Sequence, residues 1–237
     1  MAVSLHHESL LWDSGARIVV GVDEVGRGAL AGPVTVGVVA LERCDAWPDG
    51  LADSKELPPS RRVALVDALS AFGIGRAVAH ASAAEVDERG IIGALRLAAN
   101  RALADLAELG IVPDAVLLDG RHDWLTEPPP DLFAELTDAG VRAARQPGDP
   151  EACCAPVTMV VKGDSLCASI AAASVLAKVE RDELMRRAHA EHPQYGWDGN
   201  KGYGAAGHLA AIREHGPSPL HRLSWRLPAS SECALPA

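Results

Sequence analysis

The chain lacks the features that mark exported or membrane-spanning proteins. No run approaches the roughly 18 uninterrupted apolar positions of a spanning helix, and His6, His7 and Glu8 lie where a signal peptide would have an apolar core. The five cysteines are odd in number and contain no Cys-x-x-Cys pair, which argues against a disulfide framework and a zinc ribbon. We therefore expect a cytoplasmic protein with no membrane partner.

The chain has fewer basic than acidic residues, and it lacks two common enzyme motifs. The formal net charge of −10 argues on its own against a nucleic-acid partner. However, residues 178–226 carry two more Lys and Arg than Asp and Glu, and divalent ions held by acids invert the local charge. Neither a Gly-x-Ser-x-Gly elbow nor a Walker loop is present, which argues against serine hydrolases and nucleotidases. A metal-dependent nuclease stays open.

The most informative stretch lies near the start of the chain. We predict a strand over Arg17–Val22, followed by the adjacent carboxylates Asp23 and Glu24 and by Gly26-Arg27-Gly28. Side chains alternate between the two faces of a strand, so the acids can converge on one site only if the chain bends there. The glycines permit such a bend and let a ligand approach the backbone closely. A plain polar loop after a strand is the alternative interpretation.

Strand and helix patterns alternate along the rest of the chain. They predict strands over Pro33–Leu41, Ile74–His80, Ala115–Gly120 and Pro156–Lys162, helices over Pro59–Phe72, Ser82–Gly90, Ile91–Leu109 and Ser169–His189, and a surface excursion over 121–155 with a short helix at Asp131–Ala139. An antiparallel pair that feeds into parallel strand–helix units predicts an α/β fold with a mixed sheet covered by helices.

Four acids lie next to glycine at the predicted strand ends: Asp23, Glu24, Asp119 and Asp164. Converging carboxylates repel one another unless cations neutralise them, and hard oxygen ligands select Mg²⁺ or Mn²⁺. Two such ions, roughly 3.5–4 Å apart, can activate a water and stabilise the leaving oxygen of a phosphodiester. As alternatives, Asp119-Gly120 is an ordinary turn pair and Asp164 could be a helix-entry acid.

Several motifs in a fixed order resemble the ribonuclease HII family, the type 2 bacterial ribonucleases H. The resemblance spans roughly residues 17–226 and is carried by Gly21-Val22-Asp23-Glu24-Val25-Gly26-Arg27-Gly28, Asp53-Ser54-Lys55, Leu118-Asp119-Gly120, Lys162-Gly163-Asp164, Ile170–Asp182, Pro193-Gln194-Tyr195-Gly196 and Lys201-Gly202-Tyr203. Two departures stand out, because the 121–155 excursion is longer than usual for the family and Asn200 replaces a common histidine.

This resemblance implies a ribonuclease H-like mixed β-sheet flanked by helices, with a C-terminal helical extension. The implied domains are an N-terminal extension (1–16), a catalytic domain (17–190) with an insertion (121–155), a substrate-binding extension (191–227) and a flexible tail (228–237). The four acids match the family's catalytic metal ligands. Substrate contacts are implied for Gly26, Arg27, Gly28, Ser54, Lys55 and Tyr203. The tail has no clamp-docking motif, and a monomer is expected.

The implied reaction is metal-dependent hydrolysis of the RNA strand of RNA–DNA hybrids and nicking of duplex DNA 5′ to a single ribonucleotide. It leaves 5′-phosphate and 3′-hydroxyl ends and serves ribonucleotide removal. A 2′-hydroxyl both donates and accepts hydrogen bonds, which exposed backbone at Gly26 and Gly28 could supply, while Tyr203 could stack on the next nucleotide. Arg27, Lys55 and Lys162 are candidate phosphate contacts. The alternatives are another nuclease of this fold, such as a type 1 ribonuclease H or a junction resolvase, and a non-catalytic hybrid-binding module.

Overall fold

The computed structural model describes residues 3–127 and 145–229. Within them, a mixed sheet is built from β1 (Val19–Val25), β2 (Val34–Leu41), β3 (Gly75–Ala81), β4 (Ala115–Asp119) and β5 (Val157–Val160). The helices are α1 (His6–Asp13), α2 (Pro59–Leu69), α3 (Ala83–Glu108), α4 (Ala168–Glu191), α5 (Trp197–Asn200) and α6 (Ala206–His215), with short 3₁₀ turns at Gly163–Ser165 and Pro193–Tyr195.

The sheet has the strand order β3-β2-β1-β4-β5. The pairs β1–β2 and β2–β3 are antiparallel, whereas β1–β4 and β4–β5 are parallel. The chain therefore makes an antiparallel meander and then adds two parallel strands, the first of them through helix α3. This arrangement confirms the predicted mixed sheet with flanking helices and C-terminal helices.

The two faces of the sheet have different helical covers. Alternation along β1 turns Val20 and Val22 toward α3, in one apolar cluster, and Val19 toward α2 and α4, in another. Helix α4 lies very close to the sheet because a Cβ on Gly37 would stand 2.3 Å from the Ala173 carbonyl oxygen. This close contact brings the polar residues of α4 down onto the end of β1.

The predicted boundaries hold in most places. Helix α3 begins with the predicted capping box of Ser82 and Glu85 and is interrupted at Gly90 (φ 69°), which confirms the predicted break between two helical segments. Helix α1 was not predicted, and its Glu8 carboxylate accepts hydrogen bonds from the backbone and hydroxyl of Ser169. The predicted helix at Asp131–Ala139 lies outside the described residues, and the domain boundaries stay predictions. None of the described helices has the length and apolar character needed to span a membrane.

Candidate active site

The strand β1 runs further than predicted and contains both of its acids. The sequence predicted that it would end at Val22 and bend, but antiparallel pairing to β2 continues through Asp23, Glu24 and Val25. Parallel pairing to β4 stops earlier, at Val22 and Leu118. The acids are therefore placed where β1 has lost one neighbouring strand. The predicted end of β1 at Val22 was wrong because pairing with β2, which continues to Val25, overrides the low strand propensity of Asp and Glu.

Asp119 and Asp164 arrive at the same place from the parallel strands. Asp119 is the last residue of β4, one position beyond the β1–β4 register, and its Oδ1 accepts a hydrogen bond of 2.7 Å from the Gly163 amide. Asp164 lies in the 3₁₀ turn that joins β5 to α4 and is buried. The Gly163 amide thus ties the loop that carries Asp164 to the end of β4.

Burial and neighbouring negative charges raise the pKa of three of the acids, Asp23, Glu24 and Asp119. Burial raises the pKa of Asp23 well above its ordinary value, and the charges of Glu24, Asp119 and Asp164 add to this, while a hydrogen bond from Ser174 of α4 opposes it. Burial and then the charge of Asp164 raise the pKa of Asp119. Burial also raises the pKa of Glu24, against the lowering effect of Arg27. The cluster therefore favours a positive partner.

Lys55 supplies a positive charge at the edge of this cluster. Its ammonium Nζ lies 2.9 Å from Asp164 Oδ2. Burial lowers the pKa of Lys55, but the hydrogen bond to Asp164 and the nearby negative charges outweigh this and leave the pKa raised. The neighbouring Ser54 is buried, and its hydroxyl lies 2.8 Å from that of Ser174. Both predicted residues therefore border the acids.

The donor set fits a hard divalent cation. Glu24 Oε2 is buried and has no hydrogen-bond partner among the described residues, and carboxylate oxygens are the ligands that Mg²⁺ and Mn²⁺ prefer. In residues 3–127 and 145–229, no three His, Cys, Asp or Glu side chains are already gathered in a metal-binding arrangement. The assignment of the four acids as ligands stays a prediction.

The Gly26-Arg27-Gly28 turn follows β1 and is held from beneath by Arg222. The fully buried Arg222 guanidinium donates to the Gly26 carbonyl at 2.7 Å and to the Arg27 carbonyl at 2.9 Å. Gly26 adopts a φ of 85°, which favours glycine. Gly28 is exposed, and its N–H and C=O have no hydrogen-bond partner within the described chain. Gly28 thus offers both a free donor and a free acceptor, whereas the carbonyls of Gly26 and Arg27 are already used.

Tyr203 is exposed, at 38% of its full accessible surface, and the Arg181 side chain lies against both its ring and Gly26. The guanidinium of Arg181, on α4, stacks 5.5 Å from the ring centroid and donates to the carbonyls of Ala31, Pro33 and Lys201. Arg27 reaches back toward the acids, with Nη1 3.5 Å from Glu24 Oε1. Lys162 is exposed and precedes the Asp164 turn in a left-handed conformation, with a φ of 60°.

Sequence reasoning missed three residues that build the site: Ser174, Arg181 and Arg222. Arg181 and Arg222 are fully buried, and a buried arginine requires carbonyl or carboxylate partners. Their positions in an Ala-rich helix and in a short C-terminal loop gave little sign of burial. The signal that could have found Arg222 is the long glycine-rich turn near the start of the chain, whose carbonyls need donors from elsewhere.

Comparison with known proteins agrees with this geometry. A family model described as ribonuclease HII matches residues 20–227. The chain is 43% identical over 217 residues to the ribonuclease HII of Streptomyces avermitilis, which covers 92% of this chain and 80% of the relative. Among solved structures, the ribonuclease H2 from Pyrococcus horikoshii OT3 is similar with a TM-score of 0.59 at 25% identity, covering 88% of this chain and 94% of that one. Bst-RNase HIII in complex with Mn²⁺ shares the fold, with a TM-score of 0.59 at 22% identity, over 90% of this chain and 68% of that one. The chain therefore belongs to the ribonuclease HII family and is a hydrolase of that type.

Proposed function

We propose that this protein cleaves the RNA strand of RNA–DNA hybrids and nicks duplex DNA on the 5′ side of a single embedded ribonucleotide. The products are a 5′-phosphate and a 3′-hydroxyl. The observation that carries this proposal is the adjacency of the carboxylates, of which Asp23 and Asp164 are buried, to the glycine turn that directly follows β1 and exposes Arg27 and Gly28. Cutting and ribonucleotide recognition then act on neighbouring nucleotides of one nucleic-acid strand.

Asp23, Glu24, Asp119 and Asp164 would hold two divalent ions, Mg²⁺ or Mn²⁺. Such ions supply an activated water and stabilise the leaving oxygen of the phosphodiester. The chain's own part is to fix the carboxylates: Ser174 hydrogen-bonds Asp23, and the Gly163 amide holds Asp119 at 2.7 Å. The Lys55 ammonium, 2.9 Å from Asp164, is placed to contact a phosphate oxygen when cations neutralise the acids.

Recognition of the ribonucleotide falls to the turn and to Tyr203. The unpaired N–H and C=O of Gly28 match the accepting and donating capacity of a 2′-hydroxyl. The exposed ring of Tyr203 offers a stacking surface for the following nucleotide, a contact worth about 1–3 kcal/mol. Arg27 and Lys162 would contact phosphates, which positions the duplex without reading its sequence. The described cysteines Cys44, Cys153, Cys154 and Cys167 are free thiols, in keeping with a cytoplasmic location.

The test is a nicking assay on a DNA duplex with one embedded ribonucleotide. We expect a single cut 5′ to the ribonucleotide with Mg²⁺ or Mn²⁺ and no cut with a chelator or with Asp119→Asn. An all-DNA duplex is the substrate control. Cleavage only within runs of several ribonucleotides, unchanged by Tyr203→Ala, would contradict the proposal and favour a type 1 activity. Metal-independent binding of hybrids without any cut would favour a non-catalytic module.

A further inference from the structure

The backbone of Tyr203 is fixed from two sides. Its N–H donates to the Asn200 carbonyl at 2.9 Å, and its carbonyl accepts from the Ala205 N–H at 2.8 Å. The same carbonyl lies 2.8 Å from Nδ1 of His208, a buried residue of α6. A carbonyl only accepts hydrogen bonds, so His208 Nδ1 carries a proton and donates it.

The other nitrogen of His208 must then be an acceptor. Trp197 Nε1, which can only donate, lies 3.1 Å from His208 Nε2. Nε2 of the buried His221 lies 3.0 Å from the same atom, in a shared three-centre arrangement. His221 Nδ1 faces the Ser218 N–H at 2.9 Å and therefore accepts, which leaves the His221 proton on Nε2. Because the Tyr203 carbonyl can only accept and the Ser218 N–H can only donate, the tautomers of both histidines are assigned.

These contacts form one chain of hydrogen bonds directed at Tyr203. The Ser218 N–H donates to His221, His221 donates to His208, and His208 donates to the Tyr203 carbonyl. This series of hydrogen bonds is also connected to the glycine turn, because Arg222, which follows His221, donates to the Gly26 and Arg27 carbonyls. Both rings are neutral, in keeping with burial, which lowers the pKa of each.

We propose that His208 and His221 are positioning residues that hold Tyr203 in register with the Gly26-Arg27-Gly28 turn. Neither imidazole is exposed enough to meet substrate. They act through the Tyr203 carbonyl, so that the stacking ring stands at a fixed distance from the backbone that contacts the 2′-hydroxyl. This inference rests on the proposed function, in which Tyr203 and the turn contact adjacent nucleotides.

Two substitutions at one position separate positioning from stability. In His208→Asn, the amide lies near the place of Nδ1 and can still donate to the Tyr203 carbonyl, but Trp197 and His221 lose their acceptor. In His208→Gln, the amide reaches the place of Nε2 and serves those donors, but the bond to Tyr203 is lost. His215→Gln, at the exposed end of α6, is the matched control.

The experiment measures kcat and KM for nicking the single-ribonucleotide duplex at 25 °C, together with the Tm of each variant. We expect His208→Asn to lower Tm more, because it leaves two buried donors unpaired, and yet to keep a KM near that of the parent. His208→Gln should lower Tm less and raise KM by about tenfold, the effect of one lost buried hydrogen bond. If KM follows Tm across the two variants, the residue is merely structural and the proposal falls.

The background of Tyr203→Ala completes the test. There, His208→Gln should raise KM no further, and an equal added rise would overturn the positioning role. If Tyr203→Ala alone nicks with an unchanged KM, the inference falls while the nuclease activity stands. If the parent protein cuts nothing, the proposed function itself fails. Should His208→Gln not fold, His221→Gln (which keeps the donor to His208) and His221→Asn (which loses it) give the same comparison, with the larger KM expected for the second.

Discussion

The same small change, glycine to alanine, should have three different effects at three places. At Gly37 on β2, the added Cβ would stand 2.3 Å from the Ala173 carbonyl oxygen and 3.2 Å from the Ala177 Cβ. The first contact is with the backbone of a long helix, which cannot rotate away. Helix α4 must therefore move off the sheet.

The magnitude follows from this overlap. Overpacking a well-packed core lowers folding stability by roughly 1–3 kcal/mol. Because the clash is with backbone, Gly37→Ala should lie at the upper end of this range, about 3 kcal/mol. In a chain of this size, 1 kcal/mol shifts Tm by about 2–4 °C, so Tm should fall by roughly 6–12 °C. Activity should fall as well, because Gly37 pairs directly with Asp23 and α4 carries the Ser174 that hydrogen-bonds it.

Gly28 and Gly207 are the comparison sites, since a Cβ at either has no atom within 4 Å. Gly207→Ala, in α6, should leave activity unchanged and raise stability by up to about 1 kcal/mol. Gly28→Ala should leave Tm unchanged but lower kcat/KM on the single-ribonucleotide duplex by about tenfold or more, because the methyl group covers the proposed 2′-hydroxyl contact. Thermal melts and nicking kinetics on the three variants decide the matter. A Tm for Gly37→Ala within about 2 °C of the parent would refute the close contact of α4, and full activity of Gly28→Ala would refute the contact at that turn.

Three further predictions concern charge and burial. Asp119→Asn should abolish cutting. It should also raise the Tm measured in chelator at neutral pH, because burial and the charge of Asp164 raise the pKa of Asp119 and so make its ionised form unfavourable in the folded protein; a lower Tm would contradict this. Glu8→Ala should cost about 3 kcal/mol in urea unfolding, since the buried Glu8 carboxylate would no longer accept its two hydrogen bonds from Ser169, whereas Glu8→Gln should cost less; equal costs would contradict a stabilising role of these hydrogen bonds. Burial lowers the pKa of His221 in the folded protein to about 4, whereas histidine in the unfolded chain has a pKa of about 6.5. The unfolded chain therefore takes up its proton at a higher pH, and stability should fall as pH drops from about 6.5 toward 4, by up to roughly 3 kcal/mol. His221→Asn should flatten this part of the pH profile, and an unchanged slope would contradict the prediction.

The sequence reveals the strands and most helices because their local signals agree with their surroundings. The apolar runs of β1, β2 and β4 and the capping box of Ser82 and Glu85 are such signals. Helix α1 has no comparable pattern, and it is held by contacts with residues far along the chain, such as the bond between Glu8 and Ser169. A contact over 161 positions leaves no trace in local periodicity.

The acids of the candidate site were predictable as a group, but their geometry was not. Their place beside glycine indicated a shared location, whereas the end of β1 depends on how far each neighbouring strand pairs with it. Pairing with β4 stops at Val22 while pairing with β2 continues to Val25. This difference in pairing length, which no single segment encodes, leaves Asp23 and Glu24 without a paired strand on the β4 side.

Helix α4 connects the acids to the recognition turn and fixes the distance between them. Ser174 hydrogen-bonds Asp23, and Arg181, seven residues later on the same helix, donates to Ala31 and Pro33 just after the turn. Seven residues are about two helical turns, or roughly 10 Å along the axis. Because an intact helix does not change this length, the carboxylates and the turn cannot move independently. In the proposed function, this rigid spacing along α4 sets the position of the cut relative to the ribonucleotide, and the flanking loops only complete the contacts.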